Sequence, residues 1–306
     1  MAEVGKSPLA ERLGVFGDLP TRVMHHALRV VPWFLEPALI GGWTLVFFLI
    51  GKAQRRAVAG NLRALHPHWS GWRAQVGAWQ VFWNFALTYV DAQRCETNTG
   101  GVDWAVQGAD ALEDLSNRKE GCMILTVHMG NYDLAAPLFA SRFKRTLYTV
   151  RAPERTPETQ RIRELEIQKK EALFPCFRSL INEDGNLLGI KLAALLSEGH
   201  IVAVQGDRVI FDVTPMDVEV RPGLWMRLPK GPLFLARATK APCFPLLITR
   251  DGWRRYRVTV HPPLDLPLRK RGDEAEVARI WGTAVFEAAA KHWNQWYVFE
   301  PLLTRK

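Results

Sequence analysis

The stretch CMILTVHMGNYDLAAPL, residues 122–138, decides how the chain is read. Its first six residues form an unbroken apolar run of strand length, as a strand buried on both faces requires. His128 follows at once, then Gly130 and Asn131 as turn residues, then the helical apolar spacing of NYDLAAPLFASRF. Strand, tight turn and helix in that order open a βα unit. His128 therefore stands at the carboxyl end of a strand, where open α/β sheets gather their sites.

The same alternation continues. TLYTV (146–150), HIVAVQ (200–205) and CFPLLIT (243–249) read as further buried strands, with the helical patterns PETQRIRELEIQKKEALF and NLLGIKLAALLSEG between them. The second helical pattern ends in Gly199, a usual helix stop. RRYRVTVHP (254–262) reads as one more strand, antiparallel to CFPLLIT across the Asp251–Gly252 turn, and the long helical pattern DEAEVARIWGTAVFEAAAKHW follows it. These patterns predict an α/β fold, a mostly parallel central sheet flanked by helices.

Upstream, AQRRAVAGNLRALHP places Val58, Leu62 and Leu65 on one helix face ahead of Pro67. Residues 72–93 then repeat Val76, Trp79, Gln80, Trp83, Leu87 and Val90 at helical spacing. We expect a helical N-terminal extension over residues 1–98 and an α/β domain over residues 99–306, folding as a single unit.

The 306 residues are 48% hydrophobic and 23% charged, which excludes a disordered chain. Cys95, Cys122, Cys176 and Cys243 are widely spaced, so they read as reduced, buried thiols in a cytosol-facing protein rather than as a zinc site. A net charge of +9 suits an anionic partner. The basic residues are dispersed among Arg55–Arg56, Arg142–Lys144–Arg145, Arg254–Arg255–Arg257 and Arg269–Lys270–Arg271, and no nucleic-acid module is recognisable. With 12 tryptophans, the balance favours an anionic membrane surface.

No cleavable secretion signal is expected in MAEVGKSPLAERLG. The first long apolar segment is VVPWFLEPALIGGWTLVFFLIG, residues 30–51, interrupted by Pro32, Glu36, Pro37 and the pair Gly41–Gly42. Its uncharged part is shorter than the ~18–20 residues a span needs. A core helix, an anchor lying in the membrane interface and a short or tilted span all fit it. The Arg55–Arg56 pair immediately downstream suits an element whose charged end meets anionic headgroups.

With eight histidines and 31 acids in 306 residues, chance supplies about 0.8 His–acid pairs at the spacing of His128 and Asp133. Placement gives the pair its meaning. With His128 on the turn and Asp133 in the first turn of the helix, the carboxylate can fold back onto one ring nitrogen and leave the other to take a proton. That is the base-and-orienter half of a serine-hydrolase triad, and no G-x-S-x-G supplies a nucleophilic serine. The base would then act on a hydroxyl carried by the substrate. QGDRV (205–209) also follows an apolar strand, where Arg208 is either a phosphate clamp or a surface partner of Asp207. Arg151, in LYTVRAPE, stands at a third strand end, and three such ends suggest one convergent site.

These blocks resemble, in order, those of the bacterial lipid A biosynthesis acyltransferases, the lauroyl and myristoyl transferase branch of the lysophospholipid acyltransferase superfamily. The phosphatidylinositol mannoside acyltransferases are close relatives. RRAVAGNLRALHP is similar to the N-terminal Arg…Asn-Leu…Pro block. GCMILTVHMGNYDLA resembles the His-x4-Asp/Glu block, with Gly130 and Asn131 inside it. LYTVRAPE, LLSEGHIVAVQGDRV and GPLFLARATKAPCFPLLI resemble the three that follow. The resemblance implies a glycerol-3-phosphate-acyltransferase-like fold whose N-terminal extension associates with the membrane. It further implies that His128, oriented by Asp133, activates a lipid hydroxyl for attack on an acyl-carrier-protein or coenzyme A thioester, with Arg151, Asp207, Arg208, Asn131 and Gly130 binding substrate or phosphate or shaping the site.

No metal or organic cofactor is implied, and the expected place is the cytoplasmic face of the bacterial inner membrane, peripheral or anchored by the apolar segment. Two blocks depart from the pattern. Gln205-Gly206-Asp207-Arg208 stands where Pro-Asp-x-Asp is usual, and NQWYVFEPLLTRK replaces a Trp-x-x-x-Arg-Arg ending. Both bear on the acceptor, which the sequence leaves open among glycolipids, phospholipids, aminolipids and polyene lipids. A lipid-binding protein without activity, or a thioesterase or esterase using water, could be built from the same scaffold.

Overall fold

The structure, a computed structural model, describes residues 23, 26–28, 30–96, 101–143, 145–154, 157–182, 187–209, 213–267 and 274–306. The stretch expected to lack a signal, Lys144, the basic run at 269–271 and the expected boundary between residues 98 and 99 lie outside the described residues.

The apolar runs become strands β2 (Cys122–Thr126), β3 (Leu147–Arg151), β5 (Ile201–Gln205) and β8 (Cys243–Gly252). They are joined by β1 (Asp103–Gln107), β4 (Phe177–Ile181) and β9 (Arg255–Val260) in a seven-stranded sheet of order β1-β9-β8-β2-β5-β3-β4. Only the β8–β9 pair is antiparallel, across the turn that the Asp251–Gly252 dipeptide predicted. Every residue of β2 is buried, because it lies between β5 and β8 with helices on both faces of the sheet. A second, antiparallel sheet runs β10-β7-β6, from β10 (Leu303–Arg305), β7 (Leu224–Pro229) and β6 (Pro215–Arg221).

The N-terminal helices are α1 (Glu36–Ile50), α2 (Lys52–Leu65) and α3 (Gly71–Glu96), and α4 (Ala109–Asn117) follows β1. Val58, Leu62 and Leu65 of α2 are buried as their spacing requires. On α3 the deepest stripe is Ala74, Ala78, Val81 and Phe82, continued by Leu87 and Val90. It is rotated from the larger Trp79 and Trp83, because small side chains let α2 approach closely. Helix α1 packs Ile40, Thr44 and Phe47 inward and leaves Leu45, Val46, Leu49 and Ile50 exposed. No single described helix is long and apolar enough to cross a membrane, and α1 and α2 reach that length only as a pair bent by 91°. Arg55 folds back to donate to the Phe48 carbonyl at 3.1 Å, whereas Arg56 is exposed.

A buried ionic network ties these helices to the β8–β9 hairpin. Glu36, 1% exposed, accepts hydrogen bonds from Arg94 at 2.8 Å and from Arg254 at 3.1 Å. Asp91 accepts from the Tyr256 hydroxyl at 2.7 Å and from Arg250 at 3.4 Å. Such networks fix geometry more than they add net stability. All four cysteines are free, with Cys122 and Cys243 buried and Cys95 and Cys176 half-buried.

Candidate active site

The site forms where β2 and β5 end side by side. Thr126 pairs with Gln205 in the parallel register, and the Gly206 amide donates to the Thr126 carbonyl at 2.9 Å. His128 and Asp207 therefore each stand two residues beyond a registered pair, facing one another. Asp207 is fully buried, and His128 is 5% exposed. The ring Nδ1 lies 2.7 Å from Asp207 Oδ1, and the backbone N–H of His128 donates to Oδ2 at 2.9 Å.

Asp207 Oδ2 also accepts the indole N–H of Trp296 at 2.9 Å. Burial alone would raise the Asp207 carboxyl, but the His128 charge and these hydrogen bonds hold it below its ordinary value. An ionised Asp207 requires Nδ1 to carry the proton and donate it, so Nε2 is the basic nitrogen. Among the described residues Nε2 has no hydrogen-bond partner.

The partner expected from the sequence, Asp133, is elsewhere. It lies in the first turn of α5 (Tyr132–Ala140) and is paired with Arg151 at the end of β3. The correction has a simple cause. Residues 128–131 make the turn, so α5 starts at Tyr132 and carries Asp133 toward β3, whereas β5 already delivers a carboxylate beside the imidazole. Burial pushes the Asp133 carboxyl up, and the charges of Arg151, Lys170 and Arg163 outweigh it and hold the group below its ordinary value. Tyr132 packs its ring edge-on to His128 at 5.6 Å between centroids. Its hydroxyl is pushed up to about 12, first by burial and then by the Asp133 charge.

Two glycines, one in the turn and one after β5, shape the backbone of the site. Gly130 has φ +56°, and a Cβ there would stand 2.2 Å from the Ile248 carbonyl oxygen. At Gly206, just before Asp207, a Cβ would meet Leu125 at 2.5 Å and the Trp281 indole at 2.9 Å. Asn131, 2% exposed, begins α5 and donates its side-chain amide to the Thr88 carbonyl of α3 at 3.2 Å, so its role is to seat the turn on α3. Arg208 is not bonded to the adjacent Asp207. Its Nε donates to Glu300 at 2.5 Å.

The residues that the sequence did not reveal lie in the C-terminal segment. Trp296 bridges Met129, and the Tyr297 amide donates to the His128 carbonyl at 2.8 Å. Further along, Asn61 of α2 donates to the Glu300 carbonyl at 2.9 Å and accepts the Leu302 and Leu303 amides at 3.0 and 3.2 Å. The NLRALHP block thus anchors the segment that closes on His128. Among the described residues, no group of three or more His, Cys, Asp or Glu could hold a metal ion.

The arrangement is an imidazole with one nitrogen fixed and one free, near two guanidinium groups at strand ends. The family model of the bacterial lipid A biosynthesis acyltransferases matches residues 21–305, nearly the whole chain. No curated protein matches it.

Proposed function

The chain belongs to the bacterial lipid A biosynthesis acyltransferase family, and on that premise we propose that it moves a fatty acyl chain from an acyl-carrier-protein or coenzyme A thioester to a hydroxyl of a membrane lipid or glycolipid. Acyltransferase chemistry with a lipid acceptor and a thioester donor is what membership implies in general. The base and the place of action are our reading.

His128 Nε2 takes the proton from the acceptor hydroxyl as its oxygen attacks the thioester carbonyl. The new C–O bond forms, the C–S bond breaks, and the proton returns from the imidazolium to the departing thiolate. Asp207 keeps the proton on Nδ1 and stabilises the imidazolium while it exists. The observation that carries this reading is the free Nε2 opposite a buried, ionised carboxylate. Arg151 and Arg208 each spend one nitrogen on Asp133 or Glu300, which leaves the rest of each guanidinium fork to a phosphate of donor or acceptor. Asp133 holds Arg151 in place.

The exposed face of α1 supports action at a membrane surface, the cytosolic leaflet in this reading, with Leu45, Val46, Leu49 and Ile50 entering the interface. The test is acyl transfer by the purified protein from acyl-carrier-protein and coenzyme A donors to candidate lipids, following free thiol and lipid ester together. His128→Ala is expected to abolish both products while leaving the fold intact. Full activity in that variant overturns the mechanism, and thiol release without ester would identify a thioesterase. Lipid mass spectrometry of cells with and without the gene identifies acceptor and chain length.

A further inference from the structure

We propose that Trp296 is a positioning residue for the acyl-transfer base, holding the Asp207 carboxylate in the one orientation that keeps His128 in its Nδ1–H form. This rests on the role proposed for His128. A buried carboxylate can rotate about its last bond unless its oxygens are separately held. Here Oδ2 takes two donors, the His128 amide and the Trp296 indole, both at 2.9 Å, and Oδ1 is then aimed at Nδ1 at 2.7 Å.

The second donor comes from a segment that is itself fixed on both sides of the indole. Gln295 exchanges hydrogen bonds with the Arg250 backbone at 2.6 and 2.8 Å. Tyr297 donates its amide to the His128 carbonyl, and its hydroxyl lies 2.8 Å from that of Thr88 on α3. The indole is 3% exposed, so it is shielded from competing water. Without its N–H, the carboxylate keeps, among the described residues, only groups of His128 as partners, and its plane is no longer fixed from outside the residue it orients. The imidazole can then sample the other tautomer, whose Nε2–H cannot accept a proton.

The test uses the full-length protein with two replacements. Trp296→Phe removes the N–H and part of the ring. Trp296→3-benzothienylalanine keeps the bicyclic ring and removes only the N–H, so packing survives if the first variant fails to fold. Both are expected to lower kcat about 10- to 100-fold, the loss typical of one charge-assisted hydrogen bond in a catalytic array, with KM within about twofold of the parent. Nitrogen-15 spectra of the histidine rings are expected to show His128 as a single Nδ1–H tautomer in the parent and as a mixture in the variants.

Trp293→Phe, which alters the same segment where it meets Trp69 edge-to-face and away from Asp207, is expected to keep the parent rate and spectrum. Parent kcat in the benzothienyl variant overturns the proposal. So does an unchanged His128 tautomer accompanied by a rise in KM, which would assign Trp296 to packing alone. The spectra need no turnover, so the tautomer result stands or falls separately from the acyltransferase mechanism, which His128→Ala tests.

Discussion

Asp207 and His128 are 79 positions apart in the chain and share two hydrogen bonds, one to the ring and one to the backbone amide. The carboxylate that holds the imidazole therefore comes from the neighbouring strand and not from the helix that follows the histidine. Asp207→Asn is expected to lower kcat on the order of 10²–10⁴-fold with little change in KM, because an amide can stabilise the wrong tautomer and cannot support an imidazolium. Steady-state kinetics on folded variant protein decides it, and a loss confined to KM would reassign Asp207 to binding.

The pairing of Asp133 with Arg151 predicts energetic coupling between those two residues. Asp133→Asn and Arg151→Gln should each impair turnover, and the double variant should be little worse than the more damaging single change. Simple multiplication of the two losses in a double-mutant cycle would show that Asp133 acts independently of Arg151.

Gly130→Ala is expected to destabilise the fold by more than about 2 kcal/mol, since a left-handed backbone and a clash with a carbonyl must both be relieved. The φ of +56° and the 2.2 Å approach to Ile248 O leave no room for a methyl group. Denaturant unfolding measures it, and a change below about 0.5 kcal/mol would show that the β2–α5 turn adapts freely.

Acid should weaken the protein in two stages. His66 is held below its ordinary value of 6.5, first by burial and then by the charges of His68, Arg221 and Arg73. His292 is also lowered, first by burial and then by Lys291. Both favour the neutral ring in the fold, so below 6.5 the unfolded chain binds more protons and stability falls as pH drops. Asp207 and Asp133 are held below 3.8, so their contribution is present above that value and is lost as pH falls beneath it. Unfolding curves across this range should show both declines, and His66→Phe should flatten the first; an unchanged slope would clear His66 of the effect.

Replacing Leu45, Val46, Leu49 and Ile50 with Ser or Gln should reduce binding to vesicles containing anionic phospholipid while leaving the melting temperature near that of the parent, because these side chains are exposed. Sedimentation with liposomes reads this. Undiminished binding would place the membrane contact elsewhere on the molecule.

What could be read from the sequence was whatever periodicity encodes locally. The runs that became β2, β3, β5 and β8 are apolar because the strands are buried on both faces, and that pattern survives without any tertiary knowledge. β6 escaped notice because it alternates exposed Asp217 and Glu219 with buried Val218 and Val220, in a small sheet where one face meets water. Around His128, its position just after β2 was legible, and its hydrogen-bond partner was not. Proximity in sequence suggested Asp133, whereas contact between neighbouring parallel strands brings Asp207, and strand order is invisible in a single sequence. Trp296 and Asn61 were hidden for the same reason, since the bonds that define them span 89 and more than 200 positions.

The register that pairs Thr126 with Gln205 has a thermal consequence. Neighbouring strands stand about 4.8 Å apart whatever occupies the site, so the separation of His128 and Asp207 is set by the sheet repeat and not by ligand binding. The ordering cost of the His128–Asp207 pair is met once, when β2 docks between β5 and β8, and no part of a ligand's affinity is needed for it. Heat should therefore remove turnover and sheet structure at one temperature, with no cooler range in which the protein is folded and already inactive.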